Sequence, residues 1–131
     1  IPYQKSNRLV CIVKNRQWSK AEGVMERVLG NRGSVLEIGC SRGEFLVFLA
    51  GRGWRVAGIE MDAVSADAAR ATGLAVRTGT FESMSFTPDE RYDCIVLAYV
   101  LEHLPSPAAA LTRIHGLLRE GGIALVSVPN F

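Results

Sequence analysis

The 131-residue chain lacks the features of membrane-spanning, disulfide-stapled and disordered proteins. No run of 18 apolar residues occurs, so no segment of the sequence predicts a membrane-spanning helix. The three cysteines are an odd number without a C-x-x-C pair, which argues against a disulfide framework or a zinc site and favours a reducing, cytoplasmic location. Charged residues make up only 21% of the chain and hydrophobic residues 48%, which is the composition of a single folded domain.

Positive charge is concentrated near the start of the chain. Residues 1–33 carry seven Lys and Arg against two Glu, whereas residues 34–131 carry eight Arg against eleven acids. We therefore divide the chain into an N-terminal basic helical segment, 1–33, and a core, 34–131, and we expect a helix over 7–29. The basic segment could steer an anionic partner, or it could be a solvated helix face, since aromatic residues do not interleave with its charges.

From residue 34 onward, short apolar runs alternate with stretches of helical periodicity. Strands that are apolar on both faces and alternate with helices predict an α/β fold with a doubly wound, mostly parallel sheet. Strands are predicted at 34–38, 54–59, 74–77, 92–97 and 123–128, and helices at 44–51, at 62–72 and from Ser106-Pro107 onward.

A glycine loop follows the first of these strands. Gly39 and Gly43 lie between the strand and the next helix, the setting in which a loop can approach a ligand, and Glu60 ends the second strand. A carboxylate at that position can accept hydrogen bonds from both hydroxyls of a ribose. The third glycine of a dinucleotide loop is absent, and Glu37 before the loop would repel a pyrophosphate. The same acid suits the ammonium of S-adenosylmethionine (SAM), so the charges favour SAM over NAD.

Several motifs occur together in the order found in one enzyme family. Residues 35–43 (VLEIGCSRG) resemble the first motif of class I SAM-dependent methyltransferases. The second, third and fourth motifs of the family are resembled by residues 56–62, 79–82 and 92–97. The run 100–104 and the closing 121–122 and 127–130 are also typical of the family. The chain is most similar to its small-molecule branch, including ubiquinone-biosynthesis O-methyltransferases, which implies a Rossmann-like fold and SAM as cofactor.

The resemblance also implies which residues surround SAM. Those expected at the methionine end are Glu37, Gly39, Cys40 and Gly43. At the nucleoside end, Glu60 would hold the ribose, Met61 would pack on the adenine, and Thr80 and Phe81 would lie at its edge. Thr80 stands where the family usually has an acid, and Ser41 stands where it usually has glycine. Ala98 and Tyr99 would line the sulfonium side.

Two residues are candidates for the chemistry of methyl transfer. His103 follows the fourth predicted strand, its ordinary pKa is near physiological pH, and it could remove a proton from the acceptor. Glu102 beside it could orient the imidazole or bind the acceptor. Alternatively, the pair is a structural bend before Pro105 that closes the cofactor pocket.

The acceptor is expected to be a small molecule carrying a hydroxyl or an amine. Nucleic acid is disfavoured because the core is net acidic and no Asn-Pro-Pro-Tyr-like stretch follows the fourth strand. The alternatives are a non-catalytic SAM-fold binding module and an NAD-dependent oxidoreductase. Family members have seven strands, so the chain reads as truncated after the fifth, and the edge of that strand is expected to pair with a longer chain or with a homodimer partner.

Overall fold

The computed structural model describes residues 9–13 (backbone only), 18–98 and 100–127. These residues form six strands and four α-helices, and a short 3-10 helix lies at Leu101–His103. The strands are β1 Leu9–Val13, β2 Ser34–Ile38, β3 Arg55–Glu60, β4 Ala75–Thr78, β5 Tyr92–Ala98 and β6 Leu118–Ser127. The helices are α1 Trp18–Leu29, α2 Glu44–Gly51, α3 Ala63–Ala71 and α4 Pro107–Leu117.

All six strands belong to one parallel sheet in the order β1-β6-β5-β2-β3-β4. From β2 the chain moves outward through β3 to β4, then returns to the other side of β2 to add β5 and β6. The order therefore reverses between β2 and β5, and the loops at their carboxyl ends diverge there. In open α/β sheets a ligand binds at this position. The predicted doubly wound, Rossmann-like architecture is confirmed.

The first strand corrects the prediction for the start of the chain. Leu9–Val13 forms β1, parallel to β6, with Leu9 opposite Ile123 and Val13 opposite Ser127. The helix expected over 7–29 begins only at Trp18. The physical reason is that Leu9–Val13 is a continuous run of apolar, largely β-branched residues, which suits a strand better than a helix.

The edge of β6, expected to lie open, is covered by β1. The expected homodimer was argued from an open edge, so the covered edge removes that argument. The homodimer itself stays a prediction. The division of the chain at residue 33 also stays a prediction.

Two layers of helices cover the sheet. Alternate residues of β2 point to opposite faces: Val35 packs with Met25 of α1 and Leu49 of α2, whereas Leu36 packs with Ile114 of α4. Helix α3 packs beside α2 through Ala66, Ala69 and Leu46. The strands are therefore buried on both faces, as their continuous apolar runs predicted.

Helix starts agree with the local signals in the sequence. The Asp62 carboxylate accepts a hydrogen bond from the Ser65 backbone N–H at 2.9 Å, and the Ser106 hydroxyl accepts one from that of Ala109 at 3.4 Å. At the end of the chain, β6 begins at Leu118, earlier than the predicted residue 123. This strand includes the Gly121-Gly122 pair. The pairing of β6 with β5 shifts register there, between Tyr92 and Cys94.

A polar cluster closes the amino edge of the sheet. The Asp93 carboxylate accepts hydrogen bonds from the Ser34 backbone N–H (2.8 Å) and hydroxyl (3.2 Å), and Arg119 Nη1 donates to it at 2.7 Å. This network ties the start of β2 to β5 and β6, at the edge opposite the candidate site.

Candidate functional site

A cavity of about 470 Å³ lies at the carboxyl edge of the sheet, beside the position where the strand order reverses. That volume is typical of small-molecule pockets. Its walls come from the ends of β2 and β3, from the turn after β4 and from the segment after β5. The lining residues are Ile38, Gly39, Ile59, Glu60, Met61, Gly79, Thr80, Phe81, Glu82, Val100, His103, Leu104 and Pro105.

The glycine loop after β2 has a backbone that only glycine tolerates well at two positions. Gly39 has a φ of 76°, and a Cβ there would lie 2.6 Å from Val100 Cγ2. Gly43 has a φ of 80°, and a Cβ there would lie 2.3 Å from Leu74 Cδ1. Ser41 between them also adopts a positive φ, 53°, at the position where the family usually has glycine. These glycines therefore allow the loop to pack closely against its neighbours.

The carboxylate of Glu60 is held by two backbone amides at the cavity rim. One of its oxygens accepts a hydrogen bond from Ser41 N–H at 2.9 Å, and the other accepts one from Asp62 N–H at 2.7 Å. Each oxygen keeps further acceptor capacity. The side chain that ends β3 is thus fixed to the glycine loop, with acceptor positions left for a ligand.

Behind the loop lie two predicted site residues that do not line the cavity. Glu37 is fully buried on β2, and Cys40 is 2% exposed. Burial, and then the negative charges of Glu37 and Glu60, raise the pKa of the Cys40 thiol from 9.0 to about 12. Cys40 is therefore a neutral thiol at physiological pH, and its chemistry is that of a packing residue.

The wall after β4 contains the expected Thr80 and Phe81. The Thr80 hydroxyl lies 2.8 Å from that of Ser83 and also accepts a hydrogen bond from Ser83 N–H at 3.2 Å. It therefore stabilises its own turn. Phe81 is only 3% exposed and packs against Phe86 with ring centroids 5.9 Å apart. On the rim, Met61 presents a side chain that is 71% exposed.

The opposite wall follows β5 and contains His103. Its imidazole is 78% exposed, and its Nε2 lies 3.7 Å from Glu102 Oε1. Ala98 ends β5 opposite Ser127, and neither it nor Glu102 lines the cavity. Tyr99 lies outside the described residues.

The structure thus brings six of the predicted residues together around one cavity: Gly39, Glu60, Met61, Thr80, Phe81 and His103. The predicted site omitted Val100, Leu104 and Pro105, although the motif that contains Val100 and Leu104 had been singled out. It also omitted Arg113, whose guanidinium contacts the Phe81 wall from α4. No pattern near Arg113 in the sequence signals that contact.

Two kinds of structure are absent from the described part of the chain. No helix there is both long and apolar enough to cross a membrane. The same residues hold no cluster of three or more His, Cys, Asp or Glu side chains arranged to bind a metal ion.

Comparison with known proteins adds independent findings. A family model described as "Methyltransferase domain" matches residues 13–131. The chain is 31% identical over 102 residues to a ubiquinone biosynthesis O-methyltransferase from Alkalilimnicola ehrlichii, and the match covers 73% of this chain and 41% of that protein. The chain thus spans less than half the length of this curated relative.

Among solved structures, a sugar N-methyltransferase from a Streptoalloteichus species has a TM-score of 0.73 at 19% identity, covering 83% of this chain and 46% of that one. An amino pentose methyltransferase from Micromonospora echinaspora, solved with SAM bound, has a TM-score of 0.66 at 20% identity, covering 80% and 48%. These likenesses support the fold, and the family model covers most of the chain. The chain therefore belongs to the methyltransferase domain family, as the sequence motifs predicted.

Proposed function

We propose that this chain binds SAM in the cavity at the carboxyl edge and supports transfer of its methyl group to a hydroxyl or amine of a small molecule. The observation that carries the proposal is the Glu60 carboxylate, held by the amides of Ser41 and Asp62 at the rim of a cavity of suitable size. Its remaining acceptor positions match the paired donors of a ribose. The residues present therefore fit a nucleoside ligand.

Each predicted contact has a role in holding the cofactor. Glu60 would accept from the ribose hydroxyls and Met61 would cover one adenine face, while Thr80 and Phe81 would border the adenine edge. Gly39 would allow backbone approach at the methionine end, with Glu37 supplying negative charge behind it. Cys40 and Gly43 would shape the loop from behind. When bound, SAM supplies an already activated methyl carbon, so the protein chiefly orients the acceptor and excludes water.

His103 is the proposed general base for a hydroxyl or protonated amine acceptor. It lines the cavity, and its Nε2 lies 3.7 Å from Glu102 Oε1. If the pair is instead a bend that closes the pocket, the His103→Asn variant will keep the wild-type pH profile of methyl transfer. If His103 is the base, that variant will lose the acidic limb of the profile and about a hundredfold or more in rate.

A small-molecule acceptor is supported by the relatives, one named for ubiquinone biosynthesis and others for sugars. The cavity walls formed by Val100, Leu104 and Pro105 are apolar, which suits a hydrophobic acceptor better than a polynucleotide. A cytoplasmic location remains part of the proposal. It is supported by Cys40 and Cys94, which are buried in different core clusters.

Titration calorimetry separates the three candidate functions. The methyltransferase proposal expects heat with SAM and with S-adenosylhomocysteine (SAH), and none with NADH. Incubation with SAM and a panel of phenols, sugar amines and hydroxy acids should then release SAH with at least one acceptor. Heat with NADH alone would support the oxidoreductase alternative, and SAM binding without turnover on the whole panel would support a non-catalytic binding module.

A further inference from the structure

Arg113 contacts one wall of the cavity, although it does not itself line the cavity. It lies in α4, and its Nη1 donates a hydrogen bond to the carbonyl of Phe81 while its Nη2 donates to that of Met84. The carbonyl of Glu82 lies 3.3 Å from Nη1. One side chain thus contacts three peptide carbonyls of the turn after β4, those of Phe81, Glu82 and Met84.

The same guanidinium lies over two aromatic rings. Its central carbon is 5.0 Å from the Phe81 ring centroid and 4.9 Å from that of Phe86. Arg77 covers Phe86 as well, at 5.0 Å, and donates to the Ser85 carbonyl at 3.0 Å. Arg77 therefore fixes the far end of the turn, and Arg113 fixes the end that borders the cavity.

The position of Arg113 in the chain places it between two walls of the cavity. Helix α4 begins at Pro107, directly after the wall formed by Val100, His103, Leu104 and Pro105. Phe81 and Glu82 belong to the wall that follows β4. Arg113 therefore connects the helix that continues one wall to the backbone of the other.

A guanidinium is the group this connection requires. Its planar fork offers five N–H donors and a flat face, so it can serve several carbonyls and stack on a phenyl ring at once. A lysine ammonium would keep the charge but would lose the fork. The backbone of Phe81 and Glu82 would then depend on the turn's own contacts, such as the 3.3 Å bond from Met84 N–H to the Phe81 carbonyl.

We infer that Arg113 is a positioning residue of the cofactor site: it sets the place of the Thr80–Phe81–Glu82 wall relative to α4, and so the width of the adenine end of the cavity. The inference rests on the proposed function, since it takes the ligand to be an adenine nucleoside. It adds a residue that acts through the backbone of the binding wall rather than by touching the ligand.

The experiment compares Arg113→Met and Arg113→Lys with Arg119→Met. Arg119 forms an ion pair with Asp93 at the opposite edge of the sheet. Arg119→Met therefore makes the same side-chain change as Arg113→Met, but at a position remote from the cavity. Calorimetry with SAH, well below each variant's unfolding temperature, should show affinity about tenfold weaker in both Arg113 variants and unchanged in Arg119→Met. If Arg113→Met does not fold, Arg113→Lys carries the comparison.

A second ligand locates the effect. Methylthioadenosine keeps the nucleoside of SAH but lacks its amino acid, so its affinity should fall by the same factor in the Arg113 variants. Wild-type affinity for SAH in both Arg113 variants, or a loss for SAH but not for methylthioadenosine, would overturn the inference alone. A wild-type chain that binds neither ligand would overturn the proposed function and this inference with it.

Discussion

The two edges of the sheet each hold a carboxylate, Asp93 and Glu60, but with different partners. At the amino edge, Asp93 is bonded to the Ser34 N–H and hydroxyl and forms an ion pair with Arg119 at 2.7 Å. At the carboxyl edge, Glu60 is bonded by the amides of Ser41 and Asp62, and no cation pairs with it in the described part of the chain. Both side chains are fixed, but only Asp93 has its charge balanced.

The difference indicates what each edge is for. A carboxylate whose charge is already balanced by a guanidinium attracts a further ligand less strongly, so the amino edge serves stability. A carboxylate oriented by peptide amides, with no cation nearby, keeps its charge and its outer acceptor positions for hydroxyl donors. This arrangement supports the proposed binding role of the carboxyl edge.

The largest expected effect is on Cys40, which is buried behind the glycine loop at the carboxyl edge. Its pKa of about 12 means that, between pH 7 and 8.5, its thiolate is rarer in the fold than in the unfolded chain by about a thousandfold. Iodoacetamide labelling read by peptide mass spectrometry should therefore spare Cys40 in the native protein and modify it in urea.

The sign of the accompanying stability change follows from the raised pKa. The fold favours the neutral thiol, so this contribution is complete below pH 9 and is lost as the pH rises toward 12. Glu60→Gln should speed native labelling modestly, because burial is the larger cause. Equal labelling rates in the native and urea-unfolded protein would contradict the assignment.

Asp93→Ala should break the amino edge. The change leaves the Ser34 N–H and the Arg119 guanidinium without their shared acceptor, which should lower the free energy of unfolding by about 2–3 kcal/mol. Urea denaturation measures this loss, and SAH affinity should stay within twofold of wild type. A stable Asp93→Ala protein with weakened SAH binding would reverse the proposed division between the edges.

Glu60→Ala should have the complementary effect. SAH binding should weaken by about 1–3 kcal/mol, the range for hydrogen bonds to a charged group, while the urea midpoint changes little. Glu82→Ala is the matched control, since it removes a carboxylate from another wall of the same cavity. Equal affinity of Glu60→Ala and wild type would remove Glu60 from the ribose role.

Ser41→Gly should give the smallest change, a gain. At a φ of 53° a serine is strained where glycine is not, so the substitution should stabilise the fold by about 0.5–1 kcal/mol. Ala68→Gly in α3 is the control and should destabilise by about the same amount. A loss of stability in Ser41→Gly would mean that the serine side chain contributes more than its backbone costs.

Most of the fold could be predicted because its signals are local. Apolar runs gave the five core strands, and the Asp62 and Ser106 caps gave the starts of two helices. Residues 9–13 were assigned wrongly because the apolar residues of this short run were counted into the helical pattern of the following segment. Their strand pairs with β6, a partner that no window around residue 9 contains.

The candidate site could be predicted in part for the same reason. Glu60 and the glycine loop carry sequence motifs, whereas Arg113 acts through a contact with Phe81, more than 30 residues earlier in the chain. The amide contacts of Glu60 likewise depend on how closely two loops approach, which the sequence does not state. Motifs identify residues that touch a ligand, and long-range packing identifies those that hold them.

The pairing of β1 with β6 has a consequence for how the protein is made. The backbone of Leu9 pairs with that of Ile123, about 110 residues later in the chain. Contacts of such long sequence separation slow folding. During synthesis β2, α2, β3 and α3 can assemble while the first strand is still without its neighbour. Completion of this side of the sheet thus follows translation of β6.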